Sequence, residues 1–378
     1  MRLVVDVGKI TSLDGLGSFT RGLVGALARS AADDSVVLRF VDLLGAEKPE
    51  AVRDTLASAL GESPDAERPS PLLEDLEELD AADESDDTSL LALTWQRPAT
   101  FKGRALFVAY DLTFLTLPAC HTLDNRIRCL EGCLQAAVAD DLFLAISQTT
   151  ADELVTQIGV PARRVEVISP APAAAFAPRP GAAERVAERY GLRSGATDGY
   201  ILAVGSLEPR KNLDTLLDAH ELLPAELARR VPLALAGGGG WRNERLLARL
   251  DATADAGRLQ RLGRPSDEQL ADLYAAATLF VYPSLAEGFG LPLVEAMACG
   301  CPVVTGDRGA TREVAGDAAR CVDVTSAEAL AAALRELLEN PDARHRLAER
   351  GHERARTFTW TEAARRVLDA ARRLTALD

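Results

Sequence analysis

Short apolar runs that read as buried strands alternate with helical stretches along the whole chain, and that alternation admits few folds. In the first half the strand candidates are Leu3 to Val7, Val36 to Val41, Ala105 to Tyr110, Leu142 to Ile146 and Val165 to Ile168. In the second half they are Tyr200 to Val204, Val231 to Ala236, Leu259 to Leu262, Ala277 to Pro283, Pro302 to Val304 and Arg320 to Val322. Helical spacing of apolar residues fills the gaps: Phe19 to Ser30 with Ser18 as N-cap, Leu44 to Ala59, Asp124 to Ala139, the stretch SQTTADELVTQIG, Leu213 to Leu222, Trp241 to Leu250 and Asp267 to Ala276. Strands separated by helices pair in parallel, so the class is α/β with sheets covered on both faces. The proline- and alanine-rich stretch Ser169 to Gly181 divides the chain into two such halves, and Tyr190 to Gly199 would finish the crossing.

The densest chemistry lies in Ser284 to Cys301, SLAEGFGLPLVEAMACGC. Glu287 and Glu295 lie eight positions apart, with Gly288, Phe289 and Gly290 between them and then Pro292 at a first-turn position of a helix from Leu291 to Ala298. A strand, a glycine-rich turn and a helix start make a phosphate site, because free N–H groups point out and glycine lets a ligand approach. Flanking carboxylates suit sugar hydroxyls. Alone, the same pattern also fits an ordinary helix start with acidic residues nearby. Between Val204 and Leu213, GSLEPRKN sets Arg210 and Lys211 at a strand end, where open α/β sheets bind ligands. Two adjacent cations there can neutralise a diphosphate, although a solvated basic loop reads the same way in isolation. A third glycine run, Gly237 to Gly240, follows the next strand. Together these features point to a nucleotide-sugar site.

Composition narrows the classes. The 378 residues suffice for two domains, and 47% hydrophobic with 26% charged content describes a soluble globular chain. The N-terminus reads as a first strand rather than a signal peptide, and no apolar run approaches the ~20 residues of a membrane span, so a cytoplasmic protein is expected. The six cysteines form no CxxC pair and there are four histidines, so a zinc cage is not expected. The net charge is −15, of which 62–87 carries −11: twelve acids against Arg68. That charge argues against a nucleic-acid partner. The acidic segment reads as a solvated insertion, or as a surface for a basic protein partner.

VGSLEPRKN, LAGGGG, LGRPSDEQLADLYAAA and EGFGLPLVEAMACGCPVV together resemble the retaining GT-B glycosyltransferases of the large fourth family, which includes bacterial mannosyl- and glucosyltransferases. The likeness is dense from Tyr200 to about Asp323. It is looser from Leu3 to Pro178, through GLGSFTRGL, YDLTFLTLP and AISQTTADELV. The resemblance implies two Rossmann-like domains facing across a cleft: 1–180 for the acceptor, with the acidic insertion at about 62–87; 181–358 for the nucleotide-sugar donor; and 359–378 as a helix returning to the first domain. It implies that Arg210 and Lys211 hold the diphosphate, with Ser206 in the same loop. Glu287 would contact sugar hydroxyls near the reacting carbon, and backbone N–H groups from Gly288 to Leu291 would touch sugar and phosphates. Glu295 would hold the ribose, Leu262 and Gly263 would lie near the base, and Gly15 and Gly17 would close on the phosphates.

By the same resemblance, the reaction is hexose transfer with retained configuration from a nucleotide diphosphate sugar. GDP-mannose is favoured, with UDP- or dTDP-sugars as alternatives. The acceptor hydroxyl would be on a glycan, a lipid-linked acceptor or a small molecule. No cofactor or metal is required, since the donor is a substrate and the cations do a metal's work. A lipid-linked acceptor leaves peripheral attachment at the inner membrane face open. Two departures stand out. Relatives usually carry His-Asp where this chain has Tyr110 and Asp111, which implies an altered donor pocket or reduced activity; His121 is the nearest histidine along the chain. Ser206 stands where many relatives place arginine, as in a subset with GTLEPRKN-like loops. A second reading follows from Tyr110 and the insertion: a sugar-nucleotide-binding pseudoenzyme that assembles with an active transferase.

Overall fold

The computed structural model describes residues 1–12, 14–34, 36–42, 49–61, 88–97, 101, 103–195, 199–241 and 243–375. The acidic insertion at 62–87, and with it the expected protein-partner surface, lies outside the described residues. The chain divides into two compact units, Met1–Ala171 with Phe358–Asp378, and Pro172–Thr357. Among the described residues no helix is long and apolar enough to cross a membrane.

The first unit is built on six parallel strands: β1 (Arg2–Asp6), β2 (Val37–Val41), β3 (Thr88–Ala92), β4 (Ala105–Ala109), β5 (Leu142–Ala145) and β6 (Val165–Val167), in the order β2-β1-β3-β4-β5-β6. The second unit has six more: β7 (Ile201–Val204), β8 (Leu233–Ala236), β9 (Leu259–Gly263), β10 (Leu279–Tyr282), β11 (Val303–Gly306) and β12 (Arg320–Val322), in the order β12-β11-β10-β7-β8-β9. The central strands are buried along their whole length, β3 and β4 in one sheet and β8, β10 and β11 in the other. Strands covered by helices on both faces see no water, which is why they read as continuous apolar runs.

Most elements fall where the periodicity places them, and the differences have local causes. β3 was not anticipated: its apolar core is only Leu90 to Ala92 and it directly follows the acidic run. The first long helix is Gly15–Asp34, so it begins before Ser18; the Asp14 carboxylate accepts the N–H groups of Leu16 and Gly17 at 3.0 and 3.1 Å and caps it. The stretch after Gly181 is not all connection. Ala182–Tyr190 is a helix that packs on Asp267–Ala276, where Asp272 accepts from Arg179 at 2.6 Å and from Arg185 at 2.6 and 2.9 Å. The helix expected over Leu44 to Ala59 occupies Pro49–Leu60.

The final helix, Trp360–Thr375, belongs to the first unit and lies along Gly15–Asp34. Its Trp360 ring meets Phe19 edge-on at 5.5 Å. Gly22 makes this approach possible: a Cβ there would stand 2.2 Å from Trp360 Cε2. Gly22→Ala should therefore destabilise the first unit, although alanine is the better helix former by about 1 kcal/mol. In a Trp360→Ala background the same change should become neutral or stabilising. Urea unfolding of the two single variants and the double variant measures that coupling.

Candidate donor-binding site

In sequence order within its unit, the second sheet runs 3-2-1-4-5-6 from β9 to β12. Its order reverses between β7 and β10, and ligands of such sheets bind beyond the strand C-termini at that switch point. The loops leaving β7 and β10 carry Arg210, Lys211 and Glu287. They are stitched together by backbone: Leu285 N–H donates to the Arg210 carbonyl at 2.9 Å. Asn212, at φ 54°, donates through Nδ2 to the Pro283 carbonyl at 3.1 Å and the Val324 carbonyl at 2.7 Å. The tetraglycine run supports the β7 loop from the other side. A Cβ on Gly237 would stand 2.1 Å from the Gly205 oxygen, and Gly237 itself has φ 129°. Only glycine allows that approach.

These loops bring the two cations onto one carboxylate. Glu287 accepts from Arg210 Nη1 at 2.5 Å through Oε2 and from Lys211 Nζ at 2.7 Å through Oε1. Arg210 Nη1 also donates to the Ala286 carbonyl at 3.0 Å, and its Nη2 donates to Glu208 at 2.8 Å. Lys211 Nζ donates to the Tyr282 hydroxyl at 2.8 Å and lies 4.9 Å from the centre of that ring. Burial by itself would raise the Glu287 carboxyl, but Arg210 and Lys211 outweigh it and hold the group well below the usual carboxylate range. Burial pulls the Lys211 ammonium below the ordinary lysine value, with Glu287 opposing. The cluster is charge-balanced: two cations against Glu287 and the buried Glu208. Glu208 and Tyr282 were not singled out from the sequence. Glu208 was legible in the same loop, whereas Tyr282 reads as one more apolar strand residue.

The other expected donor residues of this unit are spread over the β7 loop, β9, the turn after β10 and the helix that follows it. Gly288, Phe289 and Gly290 form the buried turn, and Gly290 at φ 98° precedes the helix Leu291–Ala298 without a side-chain cap. Ser206 and Leu262 are half-buried, and Gly263 is exposed with φ 67°. Glu295 is buried on the helix, where Tyr274 donates to it at 3.3 Å. In the first unit, Gly15 is exposed and Gly17 is buried against the Ser12 carbonyl. Tyr110 is buried, donates its hydroxyl to the Leu93 carbonyl at 2.8 Å and meets Phe19 edge-on at 5.2 Å. Burial, with Asp6 and Asp14 adding, pushes its phenol well above the ordinary value. Asp111 is half-buried and accepts from Thr113, whose hydroxyl in turn meets His121.

Burial, with the Asp267 charge adding, pushes the Glu295 carboxyl up to about 8. Folded, Glu295 keeps its proton to about pH 8; unfolded, it releases it near 4.5. Between those values the unfolded chain binds fewer protons, so this group lowers stability as pH rises. Glu295→Gln removes that loss. Relative to the parent, the variant should gain on the order of a few kcal/mol between about pH 5 and about pH 8.5, measured by urea unfolding at both.

Comparison with known proteins bears on the family and the fold. Residues 187–354 match the family model for glycosyl transferases group 1. The O-antigen chain mannosyltransferase B of Escherichia coli is 36% identical over 269 residues, covering 71% of this chain and 70% of that protein. A sucrose-phosphate synthase from Thermosynechococcus elongatus superposes with a TM-score of 0.72 at 20% identity, over 100% of this chain and 99% of the other. Alr3699/HepE of Anabaena, in complex with UDP, gives 0.71 at 18% identity, over 97% and 98%. Two six-stranded parallel sheets with the fold of these enzymes make the architecture GT-B. The chain belongs to the glycosyl transferases group 1 family and is a glycosyltransferase.

Proposed function

We propose that the protein transfers a hexose, with retention of configuration and without a metal, from a nucleotide diphosphate sugar to a hydroxyl acceptor. GDP-mannose is the favoured donor. The observation that carries this reading is the Arg210–Lys211–Glu287 cluster at the sheet's switch point. A mannosyltransferase among the relatives supports the sugar, and the O-antigen chain in its name supports a glycan acceptor, lipid-linked or free. UDP in a structural neighbour keeps a UDP-sugar as the alternative.

In this reading Arg210 and Lys211 take the diphosphate and Glu287 takes hydroxyls of the sugar. The bond from C1 to the departing phosphate oxygen breaks through an oxocarbenium-like state, and the acceptor oxygen bonds C1 on the same face. The acceptor proton passes to the departing phosphate. Charge grows on that phosphate, where two half-buried cations and the N–H groups before Leu291 stabilise it at little reorganisation cost. Glu295, protonated near neutral pH, can both donate to and accept from a ribose diol.

The cluster's charge balance has a consequence for binding. An incoming diphosphate competes with Glu287 for the same two cations. Glu287→Gln should therefore lower transfer by roughly 100-fold or more while leaving GDP affinity equal or tighter. Lys211→Ala should weaken GDP by roughly tenfold or more, read by calorimetry. A thermal-shift panel of GDP, UDP and dTDP with their sugars identifies the base, since a ligand of the folded state raises Tm. Weaker GDP binding by the glutamine variant would count against the assignment. Donor binding without any turnover would favour the pseudoenzyme reading, for which the inward-facing hydroxyl of Tyr110 is the supporting observation.

A further inference from the structure

The helix Leu123–Val138 has two apolar faces, and the first unit packs only one of them. Cys129, Gly132, Cys133 and Ala136 are buried on the inner face. Gly132 sets how closely that face packs: a Cβ there would stand 2.1 Å from the Trp95 carbonyl oxygen. On the outer face Leu123, Ile127, Leu134 and Val138 are 64%, 46%, 47% and 86% exposed. They are four of the nine large hydrophobic side chains exposed among the described residues, so the exposure is concentrated rather than scattered. Half-buried Leu130 completes the stripe, and steps of four, three and four residues from Leu123 to Leu134 are those of a seam between two helices. A surface helix packed on its own core normally turns polar residues outward instead.

The polar residues beside the stripe indicate what covers it. Asp124, Arg128, Glu131 and Gln135 are exposed, and their positions share one flank of a helix with 3.6 residues per turn. Two acids against one base give this flank no excess of cations for an anionic bilayer, and the whole chain carries −15. A two-fold axis through the middle of the stripe sets two copies antiparallel and brings the flank against itself. Ile127 then faces Leu134 of the second copy, and Leu123 faces Val138. Arg128 falls about 3 Å along the helix axis from Glu131 of the second copy. The two Glu131 carboxylates lie near the two-fold, and each has an arginine of the other copy beside it, as flanking charges of paired helices do. The four exposed side chains offer on the order of 400 Å² per copy, the size of patch that marks an interaction site. That is half of the roughly 800 Å² per partner of a standard interface, which fits a reversible dimer.

We propose that the outer face of the helix Leu123–Val138 is a homodimer interface, occupied by the same helix of a second copy of this chain packed antiparallel. The surface lies wholly on the first unit and involves none of the donor-site residues.

Sedimentation velocity of the full-length protein between about 1 and about 100 µM tests this, with circular dichroism of each variant to check its fold. The parent should pass from monomer to dimer across that range. Ile127→Glu and Leu134→Lys should each raise the dimer Kd by roughly 30-fold or more while keeping the parent's circular dichroism, because both side chains stand outside the core. Arg128→Glu should weaken the dimer by roughly 3- to 10-fold, and Arg128→Glu/Glu131→Arg should restore it, since the swapped charges meet each other again. Leu222→Lys, at an exposed leucine of the second unit, should leave the dimer unchanged. A parent that stays monomeric at about 100 µM overturns the inference. So does a dimer that survives both Ile127→Glu and Leu134→Lys, or an effect of Arg128→Glu that is absent or not recovered by the double swap. A monomeric parent that co-floats with vesicles of phosphatidylcholine and phosphatidylglycerol, and is released by Ile127→Glu, overturns it in favour of a membrane surface.

Discussion

The contact of Arg210 and Lys211 with Glu287 is the interaction on which the second unit's candidate site depends. It joins the loop after β7 to the loop after β10 across the one place where the strand order reverses. Burying three charges is costly unless each is paired and hydrogen-bonded. Here Glu208, Tyr282 and the Ala286 carbonyl complete the set. Removal of any one charge would leave another without compensation, so the cluster pins two loops.

Two sets of donors in the chain are covered by a side-chain carboxylate in the same way. Glu287 sits on the cation pair, and the Asp14 carboxylate sits on the N–H groups of Leu16 and Gly17 at the start of the first long helix. In each case a side-chain carboxylate satisfies donors that would otherwise be left with water alone.

Glycine serves a separate purpose in the two units. In the second, Gly237 lets the β8 loop lie against the Gly205 carbonyl, and Gly290 takes a left-handed conformation just before the helix that carries Glu295. In the first, Gly22 admits the Trp360 ring and lets the final helix lie on Gly15–Asp34. The sequence alone marks the first group as ligand-facing, because it stands at strand ends. Gly22 looks like an ordinary weak point in a helix until its partner, far away in the chain, is known.

The sequence by itself determined the class of fold, nearly all of the strands, and the pair of loops that carry the cations and the glutamates. Those are local properties: apolar runs, glycine at turns, and charge beside a strand end. It did not reveal β3, whose short apolar core follows an acidic run, or the helix Ala182–Tyr190, held by Asp272 on another helix. It also did not reveal that Tyr110 turns its hydroxyl to Leu93, or that His121 reaches Asp111 through Thr113. Only the tertiary structure decided that Lys211 and Glu287, 76 residues apart, share a hydrogen bond. The physical reason is the order of the sheet: β7 pairs with β10, so two distant loops leave from neighbouring strands. A strand's own residues encode its burial, but which strand lies beside it is settled by the packing of the whole unit.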